Sequence, residues 1–337
     1  MDGQVVRLDP VIRDSLSQFV RIRLPKIAGV DLRHFEFDYD LTWYCFILDQ
    51  KLGILGRYGG RDASGPDSRN SLQGLSFALE MALKTRGNGA HLPPPTGKPV
   101  RAEDYPAAKK HNGCIHCHNI KEFQRTDQLA RGAFDRDALW AYPPLDNLGM
   151  VLDVDQGNRV SKVIPGSSAA AIGLAKGDVL LSLKGRPIHS FADASFVLHK
   201  HFEGPIELRW TRGTKALEGQ LIPKGDWRKS NITWRPSMLD ILPGVPFGGE
   251  DLTDKEKDGL DIPKNLPAFR QGDLVHAKLK AAGFQAGDVV VGIRGQRIEG
   301  KMDDFLAYIR RNYLVGDKIR FRVVREGKPV ELELVLR

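Results

Sequence analysis

The chain has 337 residues, of which 41% are hydrophobic and 27% are charged, and its formal net charge is +8. This length predicts two or three domains, and the composition excludes a disordered chain. Lysine and arginine residues are mixed with acidic residues, so we expect no nucleic-acid-binding surface. Because no run of about eighteen apolar residues occurs, we expect no transmembrane segment.

Residues 1–88 carry a mixed pattern of helices and strands. The predicted elements are a helix in VIRDSLSQ (11–18), a strand in FVRIRL (19–24), a hairpin in TWYCFILD and GILGRY (42–49 and 53–58), and an amphipathic helix in SLQGLSFALEMALKT (71–85).

The order of these elements resembles the C-terminal part of a thioredoxin-like domain. The resemblance implies a partial thioredoxin-like α/β domain whose first strand and redox motif are missing. The first residues, MDGQVVRLDP, show no signal peptide, and we expect the natural start to lie upstream. Cys45 lies in an apolar strand, where a cysteine is expected to be a small buried apolar residue.

Residues 89–145 are predicted to be a proline-rich linker followed by a cysteine segment. The stretch HNGCIHCHN (111–119) places two of the chain's three cysteines beside three histidines. Its core, CIHCH, satisfies CxxCH, the haem attachment motif of c-type cytochromes. In this interpretation Cys114 and Cys117 bind a covalent haem c and His118 ligates the iron. Candidates for further ligands are His111, His116 and Met150.

Two other interpretations of the motif remain open. Cys114 and Cys117 could join one or two of the neighbouring histidines in a zinc site, although zinc sites normally pair two separated half-sites. Alternatively, the two cysteines form a metal-free disulfide or dithiol. The motif alone does not decide between haem, zinc and no cofactor.

The second half of the chain contains an internal repeat. VSKVIPGSSAAAIGLAKGDVLLSLKGRPI (160–188) and VHAKLKAAGFQAGDVVVGIRGQRI (275–298) share a short alanine-rich helix, a Gly-Asp turn and an apolar strand. The turn aspartates Asp178 and Asp288 are expected to accept hydrogen bonds from their own turns. An amphipathic helix, SFADASFVLHKHF or KMDDFLAYIRRNY, and alternating strands follow each copy.

These features resemble PDZ domains, in particular those of bacterial envelope proteases. The resemblance implies PDZ domains over residues 146–225 and 263–337, joined by a linker over 226–262. PDZ domains bind protein C-termini or extended peptides as an added strand. NLGMVLD in the first copy stands where the family's carboxylate-binding loop lies. The implied peptide contacts are Leu148, Gly149, Met150 and Val151 in the loop and strand, and Phe191, Ala194 and Leu198 on the following helix.

The second copy departs from this pattern, because no similar loop precedes its helix. Peptide binding is therefore not expected there. The segment DLTDKEKDGL before it predicts a short helix with an aspartate or threonine cap. The expected fold class is multidomain α+β: a partial thioredoxin-like domain, then two PDZ-like β-barrel or sandwich domains with two helices each.

The residues ahead of the repeat do not predict a protease. A trypsin-like domain needs two barrels and a Ser-His-Asp triad, and no GDSGG-like sequence occurs. The sequence therefore predicts a non-proteolytic peptide-binding or scaffold protein of the periplasm or envelope. The alternative is a redox or electron-transfer protein whose PDZ domains only dock partners.

Overall fold

The computed structural model describes residues 2–85, 92–201 and 203–337. The chain divides into two compact units, Met1–Ser237 and Met238–Arg337. Both units mix helices with sheets, which confirms the coarse fold class. The boundary expected between residues 88 and 89 lies outside the described residues. No helix in the described ranges has the length and hydrophobicity that crossing a membrane requires.

The N-terminal part of the first unit contains helices α1 (Asp2–Val6), α2 (Pro10–Ser17) and α3 (Leu72–Thr85) and the hairpin strands β1 (Cys45–Leu48) and β2 (Ile54–Tyr58). Helix α2 begins after Asp9, whose side chain accepts a hydrogen bond from the Val11 N–H, with proline in the first helical position. Its apolar face packs on α3 and the hairpin. The predicted helices and hairpin are confirmed.

The predicted strand FVRIRL does not form. Its apolar side chains Val20, Ile22 and Leu24 are 92%, 79% and 62% exposed, and residues 19–24 are irregular. Alternating hydrophobicity yields a strand only where a neighbouring strand supplies backbone partners. Within residues 2–85 the sheet consists of β1 and β2. The thioredoxin-like resemblance thus rests on the order of helix α2, the hairpin and helix α3, and it remains a prediction.

The first PDZ copy follows helix α4 (Cys117–Ala130) and contains β3 (Met150–Leu152), β4 (Val160–Val163), α5 (Ser168–Ala171), β5 (Val179–Leu183), β6 (Arg186–Pro187), α6 (Phe191–His199), β7 (Ile206–Arg212) and β8 (Lys215–Leu221). Strands β3 and β4 form one antiparallel sheet, and a second sheet has the order β6-β5-β7-β8. Between the sheets and α6 lies one apolar core. The last residue of the predicted helix SFADASFVLHKHF lies outside the described residues.

The second unit contains β9 (Gly249–Asp251), α7 (Asp254–Gly259), β10 (Phe269–Gln271), α8 (Ala277–Ala281), β11 (Val289–Ile293), α9 (Met302–Asn312), β12 (Lys318–Arg325) and β13 (Lys328–Val335). Its sheet has the order β13-β12-β11-β10-β9. Strand β9 and helix α7 lie within the segment 226–262 that was expected to be a linker. Helix α7 begins at a capping box of Thr253 and Glu256, as DLTDKEKDGL predicts.

The repeated Gly-Asp turn has the same geometry in both units. Asp178 accepts from the Ala175 N–H at 2.8 Å and pairs with Arg212 at 2.8 Å. Asp288 accepts from the Gln285 N–H at 2.8 Å and pairs with Arg325 at 2.7 Å. Each aspartate therefore closes its own turn, as predicted, and also joins that turn to the penultimate strand of its domain.

Candidate functional site

The loop ahead of β3 is built around one glycine. A single turn of 3₁₀-helix, Leu145–Leu148, ends at Gly149, whose φ is +89°. The Gly149 N–H donates to the Asp146 carbonyl at 2.9 Å, and its carbonyl accepts from the Ile164 N–H at 2.8 Å. A Cβ at this position would lie 2.0 Å from the Cβ of Ser167. Glycine is therefore required both by the left-handed conformation and by the close approach of Ser167.

One side chain and one backbone carbonyl from outside the PDZ copy anchor this loop. The guanidinium of Arg69, from the N-terminal part, donates to Asp146 at 2.8 Å. The Asn147 side-chain amide donates to the carbonyl of Lys229, which follows the PDZ copy in sequence, at 3.2 Å. Segments before and after the PDZ copy in sequence thus hold the loop in position. Nothing in the sequence indicated these contacts.

Strand β3 is an edge strand. It pairs with β4 in the register Met150↔Val163 and Val151↔Lys162, and within the described ranges its sheet has two strands. One edge of β3 therefore has no strand neighbour there. An edge of this kind is where an extended peptide can add as a further strand.

The residues expected to contact a peptide separate into three groups. Leu148, Met150, Ala194 and Leu198 come together in the core of the first PDZ copy, and each is at most 1% exposed. Val151, on the opposite face of β3, is half-buried. The structure thus packs four of the predicted contacts side by side beneath β3 and α6. Their role in peptide binding remains a prediction.

Phe191 lies on a different face of α6, which the N-terminal part of the chain covers. A Cβ on Gly60 would lie 2.6 Å from the Phe191 ring. The backbone N–H of Arg57 donates to the Asp193 carboxylate at 2.9 Å, and the Arg57 guanidinium lies 3.6 Å from the Phe196 ring centre. Burial raises the pKa of Asp193. Strand β2 thus holds the helix that would flank a bound peptide.

Sequence reasoning missed this contact, although α6 carries a signal for it. All residues from Ala192 to Leu198 are buried. A helix on the surface of an isolated domain has a polar face, whereas a helix that is apolar nearly all round is covered on every side. The helix predicted to be amphipathic is closer to the second kind, because its polar residues before His199 are Asp193 and Ser195 and both are buried.

A buried charge cluster joins the segments that flank the first PDZ copy. The Arg235 guanidinium donates to Asp38 at 2.5 Å and to Asp40 at 3.1 Å, and all three residues are at most 6% exposed. Asp40 also accepts hydrogen bonds from the backbone N–H and hydroxyl of Ser237 at 2.8 and 2.9 Å. The carboxylates therefore have charged and neutral donors, without which their burial would be costly.

A second ion cluster ties the end of α6 to the same N-terminal segment. Lys200 Nζ lies 2.6 Å, and His199 Nε2 3.6 Å, from a Glu36 carboxylate oxygen. Burial would raise the pKa of Glu36, but the contacts with His199 and Lys200 outweigh it and lower the pKa to about 2. Burial lowers the pKa of His199, and its Nδ1 accepts from the Tyr142 N–H at 3.5 Å. A neutral imidazole fits this position.

The two cysteines of the CxxCH motif differ in environment. Cys117 is the first residue of α4 and half-buried, whereas Cys114 lies in the preceding loop and is exposed. Neither is in a disulfide in this structure. Burial raises the pKa of Cys117, and it raises the pKa of Cys45 to about 12. Cys45, predicted to be buried, is half-buried and packs against the N-terminal core.

The histidines of the motif point to different partners. His118 Nδ1 lies 2.7 Å from a Glu122 oxygen, His111 Nε2 lies 3.3 Å from the Cys114 carbonyl oxygen, and the His116 ring stacks on His118 with centroids 5.9 Å apart. In the described ranges no three His, Cys, Asp or Glu side chains converge on a metal position. Met150 lies in the PDZ core.

The surroundings of His118 bear on both the haem and the zinc interpretation. The Glu122 contact engages Nδ1 of His118 and leaves Nε2 as the nitrogen that could bind a metal, an orientation typical of metal-bound histidines. Ile115 and Cys117 pack against the apolar cluster that contains Leu32, Phe37 and Ile120, and a haem would need apolar cover of this kind.

Comparison with known proteins supports the PDZ resemblance. Residues 159–212 match the family model of the PDZ domain. The periplasmic pH-dependent serine endoprotease DegQ of Escherichia coli (strain K12) is 30% identical over 151 residues, which cover 44% of this chain and 30% of that relative. The periplasmic serine endoprotease DegP of the same strain is 54% identical over 150 residues, 44% of this chain and 29% of the relative.

A solved structure, the HtrA-type protease AlgWS227A with decapeptide, matches at 14% identity and a TM-score of 0.27 over 53% of each chain. The chain spans less than a third of the length of the curated relatives just described. The match of residues 159–212 to the family model confirms the presence of a PDZ domain, and the predicted periplasmic or envelope location is that of the curated relatives.

The relatives also correct a prediction. A non-proteolytic scaffold protein, with a redox protein as the alternative, was expected, whereas the proteins that share the repeat are serine endoproteases. The expectation rested on the lack of a GDSGG-like sequence ahead of the repeat. That observation concerns the residues ahead of the repeat in this chain. It says nothing about the relatives that share the PDZ region.

Proposed function

We propose that the chain recognises extended polypeptides in the periplasm through its first PDZ copy, as the peptide-selecting part of an HtrA-type proteolytic system. The observation that carries this proposal is the edge of β3 that has no strand neighbour in the described ranges, directly after the loop at Gly149. An extended peptide would add to this edge, with its carboxylate at the backbone N–H groups of the loop. The relatives that share the region support a link to proteolysis.

The packing under β3 sets an expectation for specificity. Leu148, Met150, Ala194 and Leu198 already fill the space that a large terminal side chain would need. Affinity is therefore expected to come from the peptide backbone and carboxylate, and small terminal side chains should be preferred. Overpacking such a core costs roughly 1–3 kcal/mol, which would select against aromatic termini.

Peptide binding to the full chain tests the proposal. Fluorescein-labelled decapeptides ending in alanine or phenylalanine, each as free acid and as amide, are titrated with protein and followed by fluorescence polarisation. We expect the alanine free acid to bind best. Arg69→Gln, which releases the anchor of Asp146, should weaken binding several-fold, whereas Arg270→Gln, which removes an exposed ion pair in the second unit, should not. Equal binding of acids and amides would contradict carboxylate recognition.

The proteolytic link needs a separate measurement. Unfolded casein is incubated with the full chain, alone and together with a DegP-type protease, and its degradation is followed on gels. The proposal expects degradation to change when the chain is present and to return to the basal rate when an excess of the best-binding peptide occupies the first PDZ copy. Degradation that is the same with and without the chain would count against it.

We also propose that Cys114, Cys117 and His118 hold a covalent haem c. The support is the His118–Glu122 contact described above. When bound, such a haem would supply an iron centre ligated by His118. The test is expression with the c-type maturation machinery and a pyridine haemochrome assay. Cys114→Ala should lose the covalent band, Cys45→Ala should keep it, and a colourless wild type would refute the assignment.

A further inference from the structure

A cavity of about 310 Å³ lies in the first unit, and none of the residues that line it belongs to β3. Its walls come from the loop after β2 (59–64), the start of α6, the segment 230–235 and residues Asp38 to Tyr44. Ala63 and Ser64 are exposed, so the cavity opens to solvent beside them. The volume is at the lower end of the roughly 300–1,000 Å³ of small-molecule sites.

The walls are mostly apolar. Leu41, Tyr44, Phe191, Ala192 and Trp234 supply aliphatic and aromatic surface from three segments of the lining. An apolar pocket with few polar groups is typical of a site for a small organic molecule. The polar side chains that line the cavity then decide which chemical group of the molecule is bound.

The carboxylates at the cavity already have cationic partners. Asp38 accepts from Arg235 at 2.5 Å, and Asp62 accepts from Arg69 at 2.9 Å. Two neutral groups are also engaged: Ser195 Oγ donates to the Tyr142 carbonyl at 3.1 Å, and Asn231 Oδ1 accepts from the Thr233 N–H at 3.0 Å.

Among the charged side chains that line the cavity, Arg61 is the exception. No hydrogen bond or ion pair joins it to another residue in the described ranges, and its Nε is buried without a partner. Its guanidinium lies 4.7 Å from the Trp234 ring, and the Arg235 guanidinium lies at the same distance of 4.7 Å from that ring. Stacking fixes the plane of Arg61 but leaves its N–H donors unused.

We propose that this cavity binds a small organic carboxylate with an apolar, preferably aromatic, body. The planar guanidinium of Arg61 would donate two hydrogen bonds to the carboxylate, the geometry for which arginine is suited. The apolar walls would hold the body. Phe191 lines this cavity and does not belong to the core beneath β3. The cavity is therefore a different site from the proposed peptide edge.

The test uses the full chain and a panel of phenylacetate, 3-phenylpropanoate and indole-3-acetate, each beside its primary amide. Binding is measured by isothermal titration calorimetry at millimolar ligand. At least one acid should bind, and its amide should bind about 10-fold more weakly or worse, because a hydrogen-bonded charge pair is lost. Failure of every acid to bind, or equal binding of acids and amides, would overturn the proposal.

Variants assign the binding to Arg61. Arg61→Gln should reduce acid affinity about 10-fold or more, and Arg61→Lys should retain part of it. Arg297→Gln, at an exposed arginine of the second unit, should bind as the wild type does. Far-UV and near-UV circular dichroism check that each variant is folded. A folded Arg61→Gln protein with unchanged affinity would place the acid elsewhere and overturn the assignment.

Discussion

The Arg235 guanidinium lies 3.1 Å from the Asp40 carboxylate, although the two residues are 195 positions apart in the chain. Between them in sequence lie the CxxCH segment and the whole first PDZ copy. The pair therefore closes the N-terminal part of the chain onto the segment that follows this copy. Together with the contact between Arg57 and Asp193, it makes the first PDZ copy an integral part of a larger unit.

Replacing Arg235 with methionine should strongly destabilise the first unit. The change leaves Asp38 and Asp40 buried without their cation, and removing one partner of a buried pair costs about 3–5 kcal/mol. Denaturant unfolding followed by tryptophan fluorescence measures the change in free energy of unfolding. Arg270→Met, at an exposed pair with Glu256, is the matched control and should cost less than about 1 kcal/mol. Similar losses in the two variants would contradict the cluster's importance.

Gly149→Ala should damage the fold of the PDZ copy as well as its binding. A non-glycine residue in the left-handed region costs about 1–2 kcal/mol, and here the new Cβ also meets Ser167 at 2.0 Å. Gly166→Ala is the matched control, because its φ is +73° and a Cβ there meets nothing within 4 Å. The melting temperature should fall more in Gly149→Ala. Equal falls would mean that Ser167 moves aside freely.

Acid should weaken the fold partly through Glu36. Its pKa of about 2 in the fold lies below the ordinary value of 4.5, so its contribution to stability is present above about pH 4.5 and is lost as the pH falls toward 2. Glu36→Gln removes that dependence. The free energy of unfolding of the wild type should therefore fall more steeply than that of the variant over this window, by up to about 3 kcal/mol. Parallel curves would show that Glu36 is not held by His199 and Lys200.

The three cysteines should react with iodoacetamide in a fixed order. Only the thiolate reacts, and burial raises the pKa of Cys117 and of Cys45, whereas Cys114 is exposed. Mass spectrometry of the native chain labelled at pH 8 should find Cys114 modified first and Cys45 last. If Cys117 is labelled as fast as Cys114, the start of α4 is more open than this structure has it.

Sequence reasoning succeeded where partners are close along the chain. The turn aspartates Asp178 and Asp288 and the capping box at Thr253 depend on spacings of a few residues, which periodicity and turn chemistry encode. The contacts of Arg57 with Asp193 and of Arg235 with Asp40 span 136 and 195 residues, and no local pattern specifies such partners. The strand predicted for FVRIRL was wrong for the same reason, because alternating hydrophobicity does not show whether a neighbouring strand exists.

The first PDZ copy and the second unit should differ when they are produced as separate fragments. Residues 238–337 carry their own apolar core and should fold cooperatively. Residues 146–225 lack Arg57, Ala141 and Tyr142, which cover Phe196 in the full chain. This fragment should therefore expose an apolar face of α6, bind the dye ANS and unfold at lower denaturant than the first unit does in the full chain. A fragment 146–225 that unfolds sharply without binding ANS would show that the cover provided by the N-terminal part is dispensable.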